Sequence, residues 1–134
     1  MLSQSCTDNN TILSIGRCFS VIGERLPLNI HYAIGNFVSN AIKSQNIIIK
    51  GDGKDERSYL NIQDAIDWIC FLLVNPNPPK IINIGSSNFI TIEELAQRVR
   101  LLINPSSNVI IKGEANPKDN MRRTAYYPNI LKAN

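Results

Sequence analysis

The sequence is poor in the residues that metal centres and disulfide frameworks require. It has one histidine, His31, and three cysteines, Cys6, Cys18 and Cys70, with no Cys-x-x-Cys pair and no Cys/His cluster. Zinc sites take closely spaced cysteine and histidine ligands, and disulfide frameworks take an even number of cysteines. The composition therefore argues against both, and it fits a reducing compartment such as the cytoplasm. We expect a structural or surface role for His31.

Long apolar runs and a strong charge excess are also lacking. The longest uninterrupted apolar run is Trp68 to Val74, far shorter than the about 20 residues that cross a bilayer. The first residues, Met1 to Gln4, show neither the basic nor the apolar region of a signal peptide. The net charge of +3 permits an anionic ligand but is small for a nucleic-acid binder. We expect neither a membrane nor a nucleic acid as partner.

The chain has seven glycines, but they form neither G-x-G-x-x-G nor a P-loop. A dinucleotide-binding fold needs such a turn after its first strand, because only glycine lets the backbone approach the pyrophosphate closely. The pair Gly51-x-Gly53 is a weak signal, since it leads to Arg57 and not to a third glycine.

What the chain does contain is an alternation of strand and helix patterns. Strands or extended segments are predicted at 11–19, 46–50, 57–62, 80–84 and 109–112, with helices at 33–44, 64–74 and 91–103. Asp64 is predicted to cap the second helix, which is apolar on nearly every side and is expected to be deeply buried. Thr91 and Glu94 have the spacing of a capping box. Helices that separate strands indicate an α/β fold.

Arg57 is the first candidate for binding an anion. It follows the glycine turn and precedes the apolar run Tyr59-Leu60-Asn61-Ile62. A guanidinium presents a planar fork of donors that suits phosphate oxygens. The alternative is a surface ion pair with Asp55 or Glu56, and spacing alone slightly favours it.

Two further segments have both a functional and a structural interpretation. At the start of the first helix, Asn36 and Phe37 could meet a planar ring with a polar edge, but the helical pattern favours core packing for Phe37. Near the end of the chain, Arg122 and Arg123 could contact a ligand, and the alternative is a solvated basic tail.

Five segments occur together in an order that resembles a known family. They read RCFSVIGERLP (17–27), AIGNFVSNAI (33–42), IIIKGDGKDERSYLNIQDAIDWI (47–69), IINIGSSNFITIEELAQRV (81–99) and RRTAYYPNI (122–130). This sequence resembles the C-terminal half of NAD-dependent nucleotide-sugar epimerases and dehydratases, the extended short-chain dehydrogenases. The resemblance covers about residues 11–132, and its most specific parts are the G-D-G-x-x-x-R-S-Y block and the N-I-G-S block.

The resemblance implies a role for each matching position. Arg57 corresponds to the arginine that holds the diphosphate of the nucleotide sugar. Ligand contacts are also implied for a second set, namely Ile34, Gly35, Asn36 and Phe37 at the base and ribose, Ile49 and Lys50 at the base, Ser20 near the sugar, and Arg122 over the nucleotide. Cys18 and Phe19 correspond to cofactor-binding positions beside the nicotinamide. Ser20 stands where the family usually has asparagine, and Asn116 where relatives often have arginine.

The family's catalytic groups do not occur in these 134 residues. There is no Tyr-x-x-x-Lys pair and no glycine-rich cofactor turn, so no catalytic residue is assigned. The sequence therefore predicts a single partial domain over residues 1–134: the substrate-binding portion of a Rossmann-like fold, with less order at 1–10 and 113–134.

The functional prediction follows from the resemblance. The complete enzyme would use NAD to oxidise a nucleotide hexose at C4 and then epimerise, dehydrate or reduce it, as a lyase or isomerase in polysaccharide or O-antigen synthesis. This chain alone would bind no NAD and would not catalyse. Its expected partners are a nucleotide-diphosphate sugar, the missing N-terminal cofactor half or a partner subunit, and a second copy in a homo-oligomer. The alternative is a non-enzymatic remnant that binds a nucleotide sugar or another chain.

Overall fold

The computed structural model describes residues 11–28, 32–113 and 125–130. His31 and Arg122 lie outside these residues, as do 1–10 and most of 113–134, for which less order was predicted. The strands are β1 (Ile15–Cys18), β2 (Val21–Ile22), β3 (Ile47–Ile49), β4 (Glu56–Ser58), β5 (Leu60–Asn61), β6 (Ile81–Ile84), β7 (Phe89–Thr91), β8 (Val109–Ile111) and β9 (Ala125–Tyr126). The helices are α1 (Ala33–Ile42), α2 (Ile62–Val74) and α3 (Ile92–Ile103).

The strands pair mainly in parallel. β1 pairs with β6, β2 with β5, β3 with β8 and β4 with β9, each in parallel register. β4 also has β7 on its other side, so β7, β4 and β9 form a three-stranded sheet. Parallel pairs need crossover connections, and helices lie between the strands along the chain. The predicted α/β class is confirmed.

The chain forms two compact units. Of the described residues, the first unit takes 11–23, 58–87 and 127–130, and the second takes 24–28, 32–57, 88–113 and 125–126. Each unit is built from segments that are distant in sequence, because a parallel strand finds its neighbour only after a long crossover.

The first unit has its core where α2 meets the strands β2, β5 and β6. Leu60, Ala65, Ile82 and Ile84 are buried there, and Val21, Trp68 and Leu72 pack against them. Asn61 caps α2 by accepting a hydrogen bond from the amide of Gln63. The prediction that Asp64 is the cap was wrong, and Asp64 lies instead in the first turn of the helix, where the helix dipole favours a negative charge.

The predicted deep burial of α2 was also wrong within this chain. Ala65 is its only buried residue, whereas Phe71, Leu73 and Val74 are 55%, 84% and 77% exposed. All four residues of β1 are exposed as well, and β6 is the only strand that pairs with β1 in the described residues. The first unit therefore presents apolar side chains from both a strand and a helix to solvent.

The second unit is packed around α1, α3 and β3. α1 packs on α3, and both helices pack on β3. Its buried apolar side chains are Phe37, Ala41, Ile47, Ile49, Leu95, Ala96 and Val99. Phe37 and Ala41 of α1 are four residues apart, as are Leu95 and Val99 of α3, which is the spacing of one helix face.

We predict that the isolated 134-residue chain self-associates through the exposed apolar side chains of α2. Leu73→Gln should weaken this association, because it removes an apolar side chain that contributes little to the core of its own unit. Leu102→Gln, at an equally exposed position of α3 (85%), is the matched control and should leave association unchanged. Analytical ultracentrifugation measures both variants, and a monodisperse wild-type monomer with a sharp cooperative melt would contradict the prediction.

Candidate functional site

The turn before Arg57 is shaped by two residues. The carboxylate of Asp52 accepts a hydrogen bond from the amide of Lys54 at 3.0 Å, which closes a local turn. Gly53 has a φ of +79°, and a Cβ added there would lie 3.1 Å from the Cβ of Glu93. A residue with a side chain would therefore be strained by its backbone and crowded by α3.

The turn is held in place by the first amides of α3. The amide of Glu93 donates to the carbonyl of Gly53 at 3.0 Å, and the amide of Ile92 donates to the carbonyl of Asp55 at 2.9 Å. The first amides of any helix lack partners within the helix. Here the turn supplies those partners, so the position of α3 fixes the backbone directly before Arg57.

The predicted capping box at the start of α3 is confirmed. The hydroxyl of Thr91 accepts from the amide of Glu94 at 3.1 Å, and the amide of Thr91 donates to the carboxylate of Glu94 at 2.9 Å. The amide and the hydroxyl of Thr91 both donate to the carboxylate of Glu94, and these two hydrogen bonds hold the pKa of Glu94 below its ordinary value. The carboxylate therefore stays ionised at neutral pH, where the box and the helix dipole both favour it.

The other end of the turn is tied to β8. The amide of Lys112 donates to the carbonyl of Ile49 at 2.8 Å, and the amide of Gly113 donates to the carbonyl of Gly51 at 3.1 Å. The β3–β8 ladder thus continues past the last residue of each strand and reaches the first glycine of the turn. Lys50 lies between the two bonded carbonyls and is exposed.

The guanidinium of Arg57 contacts its own neighbours along the chain. One terminal nitrogen (NH1) donates to the carbonyl of Glu56 at 2.7 Å, and the other (NH2) lies 3.3 Å from a carboxylate oxygen of Asp55. The side chains of Arg57 and Asp55 are 27% and 18% exposed. The ion pair offered by the sequence as the structural alternative is therefore present, and it involves Asp55.

That pair does not use all the donors of the guanidinium. Arginine has five N–H donors, and the contacts among the described residues involve NH1 and NH2. The side chain is also partly open to solvent. Arg57 therefore pairs with Asp55 in the ligand-free state and keeps further N–H donors for an anion that displaces the Asp55 carboxylate.

The remaining sequence candidates in the second unit differ in exposure. Asn36 is exposed and Ile34 is half-buried, whereas Phe37 and Ile49 are each 3% exposed and belong to the core. Gly35 is buried, and a Cβ there would lie 2.8 Å from the carbonyl oxygen of Pro27. The structure thus gives Phe37 the packing role that its helical pattern favoured, and leaves the polar edge of Asn36 available.

In the first unit, Cys18 is the last residue of β1, and Phe19 and Ser20 follow its carboxyl end. The amide of Phe19 donates to the carbonyl of Ile84, the last residue of β6, at 2.9 Å. The carbonyl of Ser20 accepts from the amide of Leu60 at 3.0 Å. In open parallel sheets, ligands bind outside the carboxyl ends of the strands.

Gly85 directly follows β6 at the same edge. A Cβ there would lie 2.7 Å from the ring of Pro128 and 3.0 Å from the Cβ of Phe19. The glycine of the N-I-G-S block is therefore required by close packing. Its role could not be predicted from the sequence, because the residues that it contacts, Phe19 and Pro128, are distant from it along the chain.

Two classes of site are not found among the described residues. They contain no cluster of three or more His, Cys, Asp or Glu side chains that could hold a metal ion. Within the same residues, the helices are too short or too polar to cross a membrane.

Comparison with known proteins identifies the family. Residues 1–85 match the NAD dependent epimerase/dehydratase family, which is more than half of the chain. The chain belongs to this family. The resemblance expected from the G-D-G and N-I-G-S blocks is thereby confirmed.

Relatives with named activities include UDP-glucuronic acid decarboxylases. The chain is 31% identical over 121 residues to UDP-glucuronic acid decarboxylase 3 of Arabidopsis thaliana, and 27% identical over 119 residues to UDP-glucuronic acid decarboxylase 1 of Danio rerio. These alignments cover 90% and 89% of this chain but 34% and 27% of those proteins. The chain thus spans about a third of the length of the curated relatives it matches.

Solved structures of family members share the fold. UDP-glucose 4-epimerase from Thermotoga maritima, solved with UDP-glucose, superposes with a TM-score of 0.80 at 17% identity, over 98% of this chain and 41% of that chain. The dTDP-glucose 4,6-dehydratase from Bacillus anthracis, solved with NAD, gives a TM-score of 0.71 at 19% identity, over 96% and 39%. The extended short-chain dehydrogenase fold is confirmed for this epimerase/dehydratase family member.

We predict that Gly53→Ala destabilises the chain by about 1–3 kcal/mol, because it adds both a strained left-handed backbone and a contact with Glu93. Gly113→Ala is the matched control: its φ is +64°, but a Cβ there meets nothing within 4 Å. Urea denaturation measures both variants. An equal loss for the two would show that the contact with α3 does not constrain the turn.

Proposed function

We propose that these residues form the nucleotide-sugar-binding portion of an NAD-dependent epimerase or dehydratase. The observation that carries the proposal is Arg57, a partly exposed arginine directly after a turn that both α3 and β8 hold in place. A fixed backbone presents the guanidinium at low entropic cost, and two parallel N–H donors fit the oxygens of a diphosphate.

The ligand class we propose is a UDP-sugar. The relatives are named as UDP-glucuronic acid decarboxylases, and the superposed structures include enzymes solved with UDP-glucose and with UDP-glucuronic acid. Arg57 would hold the diphosphate, with Arg122 closing over the nucleotide. Asn36 would bond the polar edge of the base beside Ile34 and Lys50, and the buried residues Gly35, Phe37 and Ile49 would support this surface from the core. Ser20 would contact the sugar, and Cys18 and Phe19 would lie beside the nicotinamide.

The described residues do not fit the pyrophosphate of NAD. The N-terminus of α2 is occupied by the side chain of Asn61, and that of α3 by Glu94 together with the carbonyls of the glycine turn. α1 begins after Tyr32 without a glycine-rich turn, and a chain segment at Pro27 packs against its first turn. We therefore derive no hydride-transfer step from these residues.

The biological setting we propose is the supply of nucleotide sugars for polysaccharide or O-antigen synthesis in the cytoplasm. The complete enzyme, acting at C4 of the hexose as an isomerase or lyase, would need a cofactor-binding half in addition to these residues. That half would be supplied by the same polypeptide or by a partner subunit. The exposed apolar side chains of β1 and α2 support such a partner or a homo-oligomer.

The second candidate, a binding module without catalysis, is favoured by the lack of a Tyr-x-x-x-Lys pair in these residues.

We predict that Arg57→Lys weakens UDP-sugar binding by about 10- to 150-fold, because lysine cannot replace a bidentate charge-assisted contact worth about 1.5–3 kcal/mol. The melting temperature should barely move, since a partly exposed ion pair contributes at most about 1 kcal/mol. Isothermal calorimetry at two salt concentrations measures the affinity. Arg98→Lys, at an exposed position of α3, is the control and should leave the affinity unchanged; equal affinities for Arg57→Lys and wild type would refute the site.

We predict that the 134-residue chain shows no measurable NAD binding, because it offers no glycine-rich turn at a helix N-terminus for the pyrophosphate. Calorimetry measures the affinity of the chain for NAD. A second titration of the same protein with UDP is the positive control that the protein is folded. Saturable binding at micromolar NAD would show that the cofactor site lies within these residues.

A further inference from the structure

The ion pair between Arg57 and Asp55 bears on how tightly the proposed ligand would bind. A carboxylate oxygen of Asp55 lies 3.3 Å from NH2 of Arg57, a nitrogen that the proposed diphosphate contact would also need. We propose that Asp55 is an internal competitor for Arg57, so that its carboxylate and the ligand's diphosphate exclude each other and Asp55 sets the affinity of the site. This inference rests on the proposed function, because it takes Arg57 as the diphosphate contact.

Asp55 is held close to Arg57 by its own backbone. Its carbonyl accepts from the amide of Ile92 at 2.9 Å. Residues two apart in an extended segment point to the same side, and Asp55 directly precedes β4, which contains Arg57. When the ligand takes the guanidinium, the Asp55 side chain can rotate but its Cα cannot move away.

The competition therefore has two parts. The first is the loss of the Asp55–Arg57 contact, which is small for a pair that is partly exposed. The second is the repulsion that persists between the displaced carboxylate and the bound diphosphate. Two like charges about 6 Å apart repel by an amount worth about 3-fold in affinity in water, and by more where solvent is partly excluded.

Glu56 does not compete in the same way. The guanidinium of Arg57 donates to the backbone carbonyl of Glu56 at 2.7 Å, and not to its carboxylate. A carbonyl carries no net charge and helps to orient NH1. The structure therefore separates the two neighbours that the sequence offered as equivalent partners: Glu56 orients Arg57 through its backbone, and Asp55 neutralises it.

The test is Asp55→Asn in the full 134-residue chain, with UDP as the probe. Asparagine keeps the size and an acceptor oxygen but removes the charge. We expect UDP to bind at least about 3-fold more tightly, and the gain to shrink as salt is raised, because salt screens the repulsion.

Asp52→Asn is the matched control. It makes the same change in net charge within the same turn, and asparagine can still accept from the amide of Lys54. It lacks the contact with Arg57 that is described for Asp55, so we expect a smaller gain than for Asp55→Asn. Equal gains for the two variants would overturn the proposal, because the effect would then be one of net charge alone.

The remaining outcomes separate this inference from the proposed function. If Arg57→Lys weakens UDP binding but Asp55→Asn leaves it unchanged, the site stands and the competition is refuted. If Asp55→Asn weakens binding, Asp55 positions Arg57 and does not compete with the ligand, which also overturns the inference. If Arg57→Lys has no effect, or if neither wild type nor Asp55→Asn binds UDP at millimolar concentration, both proposals fail.

Discussion

The site depends on the unpaired amides at the start of α3. A helix must find acceptors for its first N–H groups, and α3 finds one in the hydroxyl of Thr91 and two in the carbonyls of Gly53 and Asp55. These bonds connect a helix of the core to the glycine turn, and they hold the turn in a fixed position. The backbone directly before Arg57 is therefore fixed as well. An anion contact of this kind would come from helix capping and turn geometry together, with no need for a buried pocket of charge.

The two units differ in how completely their apolar side chains are buried. In the second unit α1, α3 and β3 enclose a shared core. The first unit leaves β1 exposed along its length and α2 with apolar side chains in solvent. A parallel strand with one neighbour and an apolar helix that is largely exposed are typical of a sheet that continues in another segment or chain.

Features set by local chemistry could be predicted from the sequence, and features set by distant contacts could not. The capping box at Thr91 and the course of α1 follow from residues three or four apart, and both were confirmed. The burial of α2 was predicted wrongly, because an apolar composition does not tell which surface covers the helix. Its cap was misassigned because Asn61 and Asp64 are both good capping residues within one turn. Strands of two residues, such as β2, are too short to show a periodic pattern. The choice between Asp55 and Glu56 as the partner of Arg57 depends on side-chain rotamers, which the sequence does not determine.

The most direct test of the account is a crystal structure of this chain with UDP bound. We expect diphosphate oxygens about 2.7–2.9 Å from the guanidinium nitrogens of Arg57, with the carboxylate of Asp55 turned away and the carbonyls of Gly53 and Asp55 still bonded to the amides of α3. A structure in which Arg57 remains on Asp55 while the diphosphate binds elsewhere would contradict the proposed site.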